Sequence, residues 1–318
     1  MEKIKNRVIL VIIAAIIFYT VTVFYSDASL IYEKLSLVRW EYYTVIFPLT
    51  FLSLAIRAIR YHLIIRDLKI PLKFSESFLV YLSGFSMSIT PGGFGTIIKS
   101  HIIKKKTGKS YSYTTPIIIY EKLLELITIT IIIGTFLFWV NLLASQIVFA
   151  VGITLSVIIF SFLRSPSSQH FMYNVFSKIS FLKKYLPDID QFSQSASVLL
   201  NGKVFSKNLS LSIAAQIPIM LAIVLVFTSI HIDIDPFSAN QIFFTSLLIG
   251  TFSFVPGGVV VIESGLLGLL LTNGVELVPA TVSVLLLRLV FLWFSVLVGL
   301  GILKVVMSKK WLDNNLES

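Results

Sequence analysis

Two stretches of the sequence, Ser88-Ile89-Thr90-Pro91-Gly92-Gly93-Phe94-Gly95 and Ser253-Phe254-Val255-Pro256-Gly257-Gly258-Val259-Val260, each place the tripeptide Pro-Gly-Gly inside an apolar segment. The two prolines are 165 positions apart, about half of the chain. Proline removes a backbone donor and glycine adds conformational freedom, so each tripeptide breaks a helix. At membrane depth a break is tolerated only where it is buried in protein or lines a wet cavity. Two breaks at matching positions in two halves are typical of a transporter built from repeats.

The composition indicates a polytopic membrane protein. Of the 318 residues 56% are hydrophobic and 13% are charged, and the mean hydropathy is +0.90. The absence of cysteine excludes disulfides and thiolate metal sites, and the four histidines show no metal-ligand spacing. We therefore predict no metal and no cofactor. The net charge of +10 is typical of basic cytoplasmic loops and does not indicate nucleic-acid binding.

Apolar runs of about 20 residues are long enough to cross a membrane as helices. The full-length candidates are 8–25, 42–65, 114–139, 143–163, 209–230 and 280–303. The first of them follows three basic residues, and its length favours an uncleaved span over a signal peptide. The stretches 75–103 and 241–272 carry the glycine pairs, and their arms are too short or too polar for confident spans. We interpret both as re-entrant hairpins of the form helix, break, helix.

The placement of lysine and arginine indicates the orientation. All but four of the 26 basic residues fall on one side if the N-terminus is cytoplasmic; the exceptions are Lys34, Arg39, Lys122 and Arg288. The segments 231–241 and 273–279 contain none. This bias arises if both glycine stretches are re-entrant, or if both are full double crossings, and their length favours hairpins. We expect a multi-pass protein of the cell membrane with both termini cytoplasmic.

The predicted fold is thus an all-α polytopic membrane protein with about six full spans and two re-entrant hairpins in an inverted repeat. The first half, 1–140, has its hairpin on the cytoplasmic side. The second half, 141–318, has its hairpin on the outside. The polar segment 164–208 is interpreted as one or two amphipathic helices on the cytoplasmic face, with a plain loop as the alternative.

Ionisable residues inside spans are costly and mark function by default. Glu121 and Glu125 share a helix face, with Lys122 beside Glu121, and Glu263 and Arg288 follow the second break. The structural alternative is that these residues form buried ion pairs, for example Glu263 with Arg288. Near the first break, exposed backbone amides with Lys99, Arg57 and Arg60 predict an anion site that would bind phosphate.

Two groups of basic residues have an alternative interpretation. Arg57 and Arg60 would then extend to the membrane interface rather than bind a ligand. The cluster Lys104–Lys106 would be an ordinary basic loop that contacts anionic lipid head groups.

The order and spacing of five motifs resemble the lysylphosphatidylglycerol synthase transmembrane (flippase-like) family, the membrane part of the multiple peptide resistance factor. The motifs are Arg57-Ala58-Ile59-Arg60-Tyr61, Pro91-Gly92-Gly93-Phe94-Gly95, Tyr120-Glu121-Lys122-Leu123-Leu124-Glu125, Pro256-Gly257-Gly258-Val259-Val260-Val261-Ile262-Glu263 and Arg288. The resemblance covers roughly residues 5–305. It implies translocation of an aminoacylated or glycosylated lipid head group between leaflets. No segment resembles the family's soluble aminoacyl-transferase domain, so we expect no synthase activity and no enzyme.

The chain departs from the family pattern at several positions near the breaks. Lys122 stands where the family often has arginine, and Glu125 where it has aspartate. Ile97-Ile98-Lys99 follows the first Pro-Gly-Gly, where an acidic residue is common. Val260 replaces the last glycine of a motif that often reads Gly-Gly-Leu-Gly. The charge pattern at the predicted site is therefore altered.

The first functional hypothesis is a lipid flippase whose substrate is a membrane lipid, either a phospholipid or a polyprenyl-linked lipid. The predicted substrate-binding residues are Pro91, Gly92, Gly93, Pro256, Gly257 and Gly258 as the unwound centre, with Lys99, Glu121, Lys122, Glu125, Glu263, Arg288, Arg57 and Arg60 around it. The alternatives are a proton- or ion-coupled small-solute transporter and a non-transporting accessory subunit. Assembly into a homo-oligomer is compatible with the sequence.

Overall fold

The computed structural model is helical throughout the part of the chain that it describes, with no strand there. The described residues are 28–88, 97–140, 142–177, 188–253, 255–309 and 311. The predicted first span, 8–25, lies outside them. So do Pro91, Gly92 and Gly93 of the first predicted break.

The described helices are named in chain order. They are α1 Ala28–Ser36, α2 Tyr43–Asp67, α3 Phe74–Ser83, α4 Ile97–Thr107, α5 Tyr111–Phe136, α6 Leu143–Arg164, α7 Pro166–Ser177, α8 Ile189–Leu199, α9 Gly202–Ala214, α10 Gln216–Ser229, α11 Pro236–Phe252, α12 Val261–Thr272, α13 Leu277–Arg288 and α14 Phe294–Ser308. Short 3₁₀ turns occupy Trp40–Tyr42, Gly84–Met87 and Pro256–Gly258, and a π-helical turn, Leu289–Trp293, joins α13 to α14.

Four helical stretches of the described chain are long and apolar enough to cross a membrane. They are Trp40–Asp67, Leu143–Arg164, Gly202–Ser229 and Leu277–Ser308. Each coincides with a span predicted from the sequence. Helix α5 corresponds to the predicted span 114–139 and has 26 residues, but it carries Glu121, Lys122 and Glu125. It is therefore a long helix with charge in its middle rather than an uninterrupted apolar span.

One predicted boundary differs from the structure. The span expected at 209–230 begins at Gly202, because the Asn201 side chain accepts a hydrogen bond from the Lys203 amide and caps α9. The segment 164–208 therefore contains α7 and α8 and then enters the next span. Helix α8 has an amphipathic pattern, in which Phe192, Ser195, Ala196 and Leu199 are buried at helical spacing. This face of α8 packs mainly against α5.

Two apolar clusters make up the core, and α2 and α5 run through both. The first cluster contains buried residues of α10 to α13 and the second half of α5. The second contains the C-terminal part of α2, α3, α4, the first half of α5 and α8. In α5, Leu124 belongs to one cluster and Leu126 to the other. Glu125 therefore lies at the junction of the two clusters.

Helices α11 and α12 form the second hairpin, with arms that run antiparallel. A Cβ on Gly250 would lie 2.1 Å from Cγ1 of Ile262, and a Cβ on Gly265 would lie 3.3 Å from Cβ of Ser246. Gly250 thus meets Ile262, and the earlier residue Ser246 meets the later residue Gly265. The two helices therefore run antiparallel, as in a hairpin. At the tip, Gly257 and Gly258 have φ values of 61° and 62°, where glycine is favoured. The helix–break–helix form predicted for 241–272 is present.

In the first glycine stretch, 75–103, the structure describes both arms. Helix α3 passes into the 3₁₀ turn Gly84–Met87, and α4 begins at Ile97. The last helix, α14, packs closely on this arm: a Cβ on Gly299 would lie 2.3 Å from the Ser86 backbone nitrogen. Helix α14 also carries Val296, which clusters with Val259 beside the second break. The last helix therefore contacts elements beside both breaks.

Val260 has an unusual backbone conformation. Its φ of 73° and ψ of −47° lie in a region that β-branched residues rarely adopt, and it immediately precedes α12. Glycine adopts positive φ without steric cost, whereas the branched side chain of valine does not. This chain therefore holds a strained residue at the end of its second break.

We expect Val260→Gly to raise the free energy of unfolding by about 1–2 kcal/mol, because it removes the steric cost of positive φ. Little packing would be lost, since Val260 is 38% exposed. The measurement is chemical unfolding in detergent micelles. Val261→Gly, in the first turn of α12, is the matched control, and we expect it to be destabilising by about 0.5–1 kcal/mol. If both substitutions are destabilising, Val260 is not strained.

Candidate functional site

A cavity of about 130 Å³ with charged side chains in its wall lies between the two arms of the first glycine stretch and helices α2, α5, α9 and α10. This space is large enough for several water molecules or a small polar group. Its lining combines charged, hydroxyl and aromatic side chains. The lining residues are Arg57, Arg60, Tyr81, Gly84, Phe85, Ser88, Lys99, Ile118, Glu121, Lys122, Glu125, Thr128, Ser212 and Gln216.

Lys99 extends from α4 into the cavity and is buried. Its Nζ lies 2.5 Å from Oε2 of Glu121 on α5. It also lies 4.9 Å from the ring centre of Tyr61 and 5.2 Å from that of Tyr81. The aliphatic part of Lys99 passes over Gly84, where a Cβ would come within 3.1 Å. One carboxylate and two aromatic faces thus hold this ammonium group.

Arg60 lies on the other side of Glu121, so the carboxylate contacts two cations. Its Nη2 is 3.6 Å from Oε1 of Glu121. Its Nη1 donates a 2.6 Å hydrogen bond to Oγ of Ser212, which in turn donates to the Asn208 carbonyl at 2.8 Å. These contacts join α2, α5 and α9, and they direct Arg60 into the bundle rather than outward to the membrane interface.

A second charged group lies one turn further along α5. Lys122 Nζ lies 2.9 Å from Glu125 Oε2, and Arg57 Nη1 lies 3.9 Å from Glu125 Oε1. Glu125 therefore also contacts two cations. With Lys99, Arg60 and Glu121, the cavity is lined by four cations and two carboxylates, which leaves two positive charges in excess.

The second break has a separate ion pair. Glu263 on α12 is fully buried, and its Oε1 lies 2.8 Å from Nε of Arg288 at the end of α13. Nη2 of Arg288 also donates a 2.8 Å hydrogen bond to the carbonyl oxygen of Gly257 at the hairpin tip. The sequence predicted this pair as a structural alternative, and the geometry contains it. Here the charges of the two side chains cancel.

The two ion pairs occupy corresponding places with reversed sign. Lys99 is eight residues after Pro91, and Glu263 is seven after Pro256. Their partners, Glu121 and Arg288, follow the prolines by 30 and 32 residues. In each case the helix after the break is joined to the next helix by a buried pair.

The model of the lysylphosphatidylglycerol synthase TM region matches residues 9–299. The chain belongs to this family. A search of curated proteins and a search of solved structures found no significant match. Family membership and the four apolar helical stretches together establish a multi-pass integral membrane protein.

The structure brings together six of the predicted substrate-binding residues of this family member. These are Arg57, Arg60, Lys99, Glu121, Lys122 and Glu125. Gly257, Glu263 and Arg288 form the separate group at the second break, where Pro256 and Gly258 also lie. No described residue of 255–263 lines the cavity. The binding roles of all these residues stay predictions.

Several residues that contact the charged side chains of the cavity were not predicted from the sequence. Tyr61 and Tyr81 face Lys99, and Ser212 contacts Arg60. Two signals pointed toward them. Tyr61 directly follows Arg60 in a motif shared with the family, and Ser212 and Gln216 are polar residues four apart in an apolar span.

We expect Arg288→Met to lower the free energy of unfolding by about 3–5 kcal/mol, because Glu263 would stay buried without its counter-charge. The double variant Arg288→Met with Glu263→Leu should recover most of this loss. A deficit of about 1 kcal/mol should persist from the Gly257 hydrogen bond. Unfolding in detergent micelles checks both values. A double variant as unstable as the single one would show that the ion pair is not the source of the effect.

Proposed function

We propose that this family member is a flippase-like protein that moves the polar head group of a phospholipid or a polyprenyl-linked lipid between membrane leaflets. The cavity with four cations and two carboxylates carries this proposal. Charged side chains within a membrane bundle are costly and are retained where they serve a substrate or ion path. A lipid head group is a substrate that a charged cavity inside a bilayer suits.

The outer surface of the bundle supports a substrate with lipid tails. Helices α6 and α14 expose large apolar side chains, among them Ile147, Val157, Ile158, Leu297 and Leu300. Such a surface is compatible with surrounding acyl chains. A lipid would place its head in the polar cavity while its tails stay outside the bundle. We assign no enzymatic reaction to the site, and its residues have binding roles in this proposal.

The two breaks supply a mechanism for alternating access. In this proposal the halves 1–140 and 141–318 form an inverted repeat, with hairpins 75–103 and 241–272 entering from opposite sides. The pairs Lys99–Glu121 and Glu263–Arg288 each join a hairpin arm to the next helix. Rocking of one half against the other would change the packing at these pairs and expose the cavity to each side in turn.

Head-group translocation in proteoliposomes tests the proposal. We expect the wild-type chain to accelerate exchange of labelled lipids between leaflets, and Arg57→Gln to slow it about tenfold by removing a charged contact of the head group. Arg66→Gln is the matched control, because Arg66 lies on the same helix and does not line the cavity. If proteoliposomes with the wild-type chain show no lipid exchange but take up a solute driven by a proton gradient, the result favours the small-solute transporter.

The proposed topology places both termini and the basic loops in the cytoplasm, where the loops contact anionic lipid head groups. Because the chain contains no cysteine, single cysteines report sidedness directly. In intact cells a membrane-impermeant maleimide should label Asp233→Cys and Asn273→Cys. It should label Lys73→Cys and Lys203→Cys only after permeabilisation. Labelling of Asn273→Cys and Lys203→Cys from the same side would contradict the proposed orientation.

A further inference from the structure

Outside the cavity, three ion pairs of the described chain each join one cation to one carboxylate. Glu263 faces Arg288, Lys207 faces Asp67 at 2.7 Å, and Lys106 faces Glu76 at 2.9 Å. Each of these pairs has no net charge, and ion pairs that only stabilise helix packing need none. The cavity differs, because each of its two carboxylates contacts two cations. The excess of two positive charges is a property of this site.

The cavity lining also contains buried polar atoms without hydrogen-bond partners. Nε of Arg60 has none, although Arg60 is only 5% exposed. Oγ1 of Thr128 has none either, and Thr128 is fully buried. By contrast, the hydroxyl of Thr135, seven residues or about two turns further along α5, donates to the carbonyl four residues back. An unsatisfied buried donor costs about 1–3 kcal/mol, which an acceptor bound in the cavity would offset.

The two excess positive charges and the unpaired polar atoms of Arg60 and Thr128 indicate which ligand the cavity suits. This ligand carries about two negative charges and several oxygen acceptors, and a phosphate monoester has both near neutral pH. A phosphodiester carries one negative charge and leaves one positive charge uncompensated. An aminoacylated head group brings its own ammonium group, which the excess positive charge repels.

We propose that the cavity binds a phosphate monoester group and prefers it to phosphodiester and aminoacylated head groups. This inference rests on the proposed function in assigning the group to a transported lipid. Within the cavity, Arg60 and Thr128 would donate to the phosphate oxygens. Lys99 and Arg60 around Glu121 leave one positive charge for the phosphate, and Arg57 and Lys122 around Glu125 leave the other.

Binding to the full chain in nanodiscs of zwitterionic lipid tests the preference. Isothermal titration would compare dihexanoyl phosphatidic acid with dihexanoyl phosphatidylglycerol at pH 7.5. We expect phosphatidic acid to bind about tenfold more tightly, and the ratio to shrink at pH 5.5, where the monoester carries one charge less. Equal affinity of the two lipids at pH 7.5 would overturn the proposal.

Inorganic phosphate distinguishes a lipid from a free anion as the source of the group. A lipid site should bind inorganic phosphate much more weakly than phosphatidic acid, because the acyl chains add apolar contact. Equal affinity would support the phosphate chemistry and overturn its assignment to a lipid.

Two neighbouring substitutions separate charge from structure. Lys122→Gln and Glu125→Gln both break the same 2.9 Å ion pair, and the side chains are 44% and 31% exposed, so the fold should tolerate either change. We expect Lys122→Gln to weaken phosphatidic acid binding about tenfold and Glu125→Gln to strengthen it, because they change the net charge in opposite directions. Loss of affinity in both variants would overturn the proposal.

Lys207→Gln and Asp67→Asn are the matched controls. They break another partly exposed pair, which does not line the cavity, and neither should change the affinity for phosphatidic acid.

A translocation assay separates this inference from the proposed function. Tight binding of phosphatidic acid without translocation would contradict the flippase proposal alone. Translocation of lipids without any preference for the monoester would contradict only the phosphate inference.

Discussion

A buried ion pair joins the helix after each break to the next helix along the chain, and the arrangement around both breaks depends on these contacts. Lys99 contacts Glu121 in the first case, and Glu263 contacts Arg288 in the second. A single charge in either place would be costly, because all four side chains are buried. The pairs therefore fix how each hairpin arm packs, and they bring a backbone break next to a charged side chain. Arg288 makes this connection directly through the carbonyl of Gly257.

The two pairs are alike in position and unlike in surroundings. The pair at the second break is neutral and closed, whereas the pair at the first lies in a cavity with three further charged residues, Arg57, Lys122 and Glu125, and with Arg60 as a second partner of Glu121. The two pairs thus differ in the number of charged residues that surround them. The second break is a closed structural joint, whereas the described residues on either side of the first glycine pair line a cavity with two positive charges in excess.

Much of the fold was predictable, because its signals are local. Apolar runs of sufficient length predicted the helices at 42–65, 143–163, 209–230 and 280–303, and Pro-Gly-Gly predicted the break between α11 and α12. The start of α9 was predicted too late, since an apolar run does not register a polar cap such as Asn201. The conformation of Val260 was not predictable from its residue type either. The turn imposes a positive φ that valine disfavours.

The sequence by itself determined that this is a helical membrane protein with two Pro-Gly-Gly motifs and that charged residues follow each motif, because chain length, apolarity and turn chemistry are read from neighbouring residues. Only the tertiary structure decided which charges meet. Arg60 reaches Ser212 across 152 positions, and Lys99 reaches Glu121 across 22. Such contacts depend on how helices pack, and packing is set by shape and burial over the whole bundle. The same packing gathered four cations and two carboxylates around one cavity and left Glu263 and Arg288 apart from it.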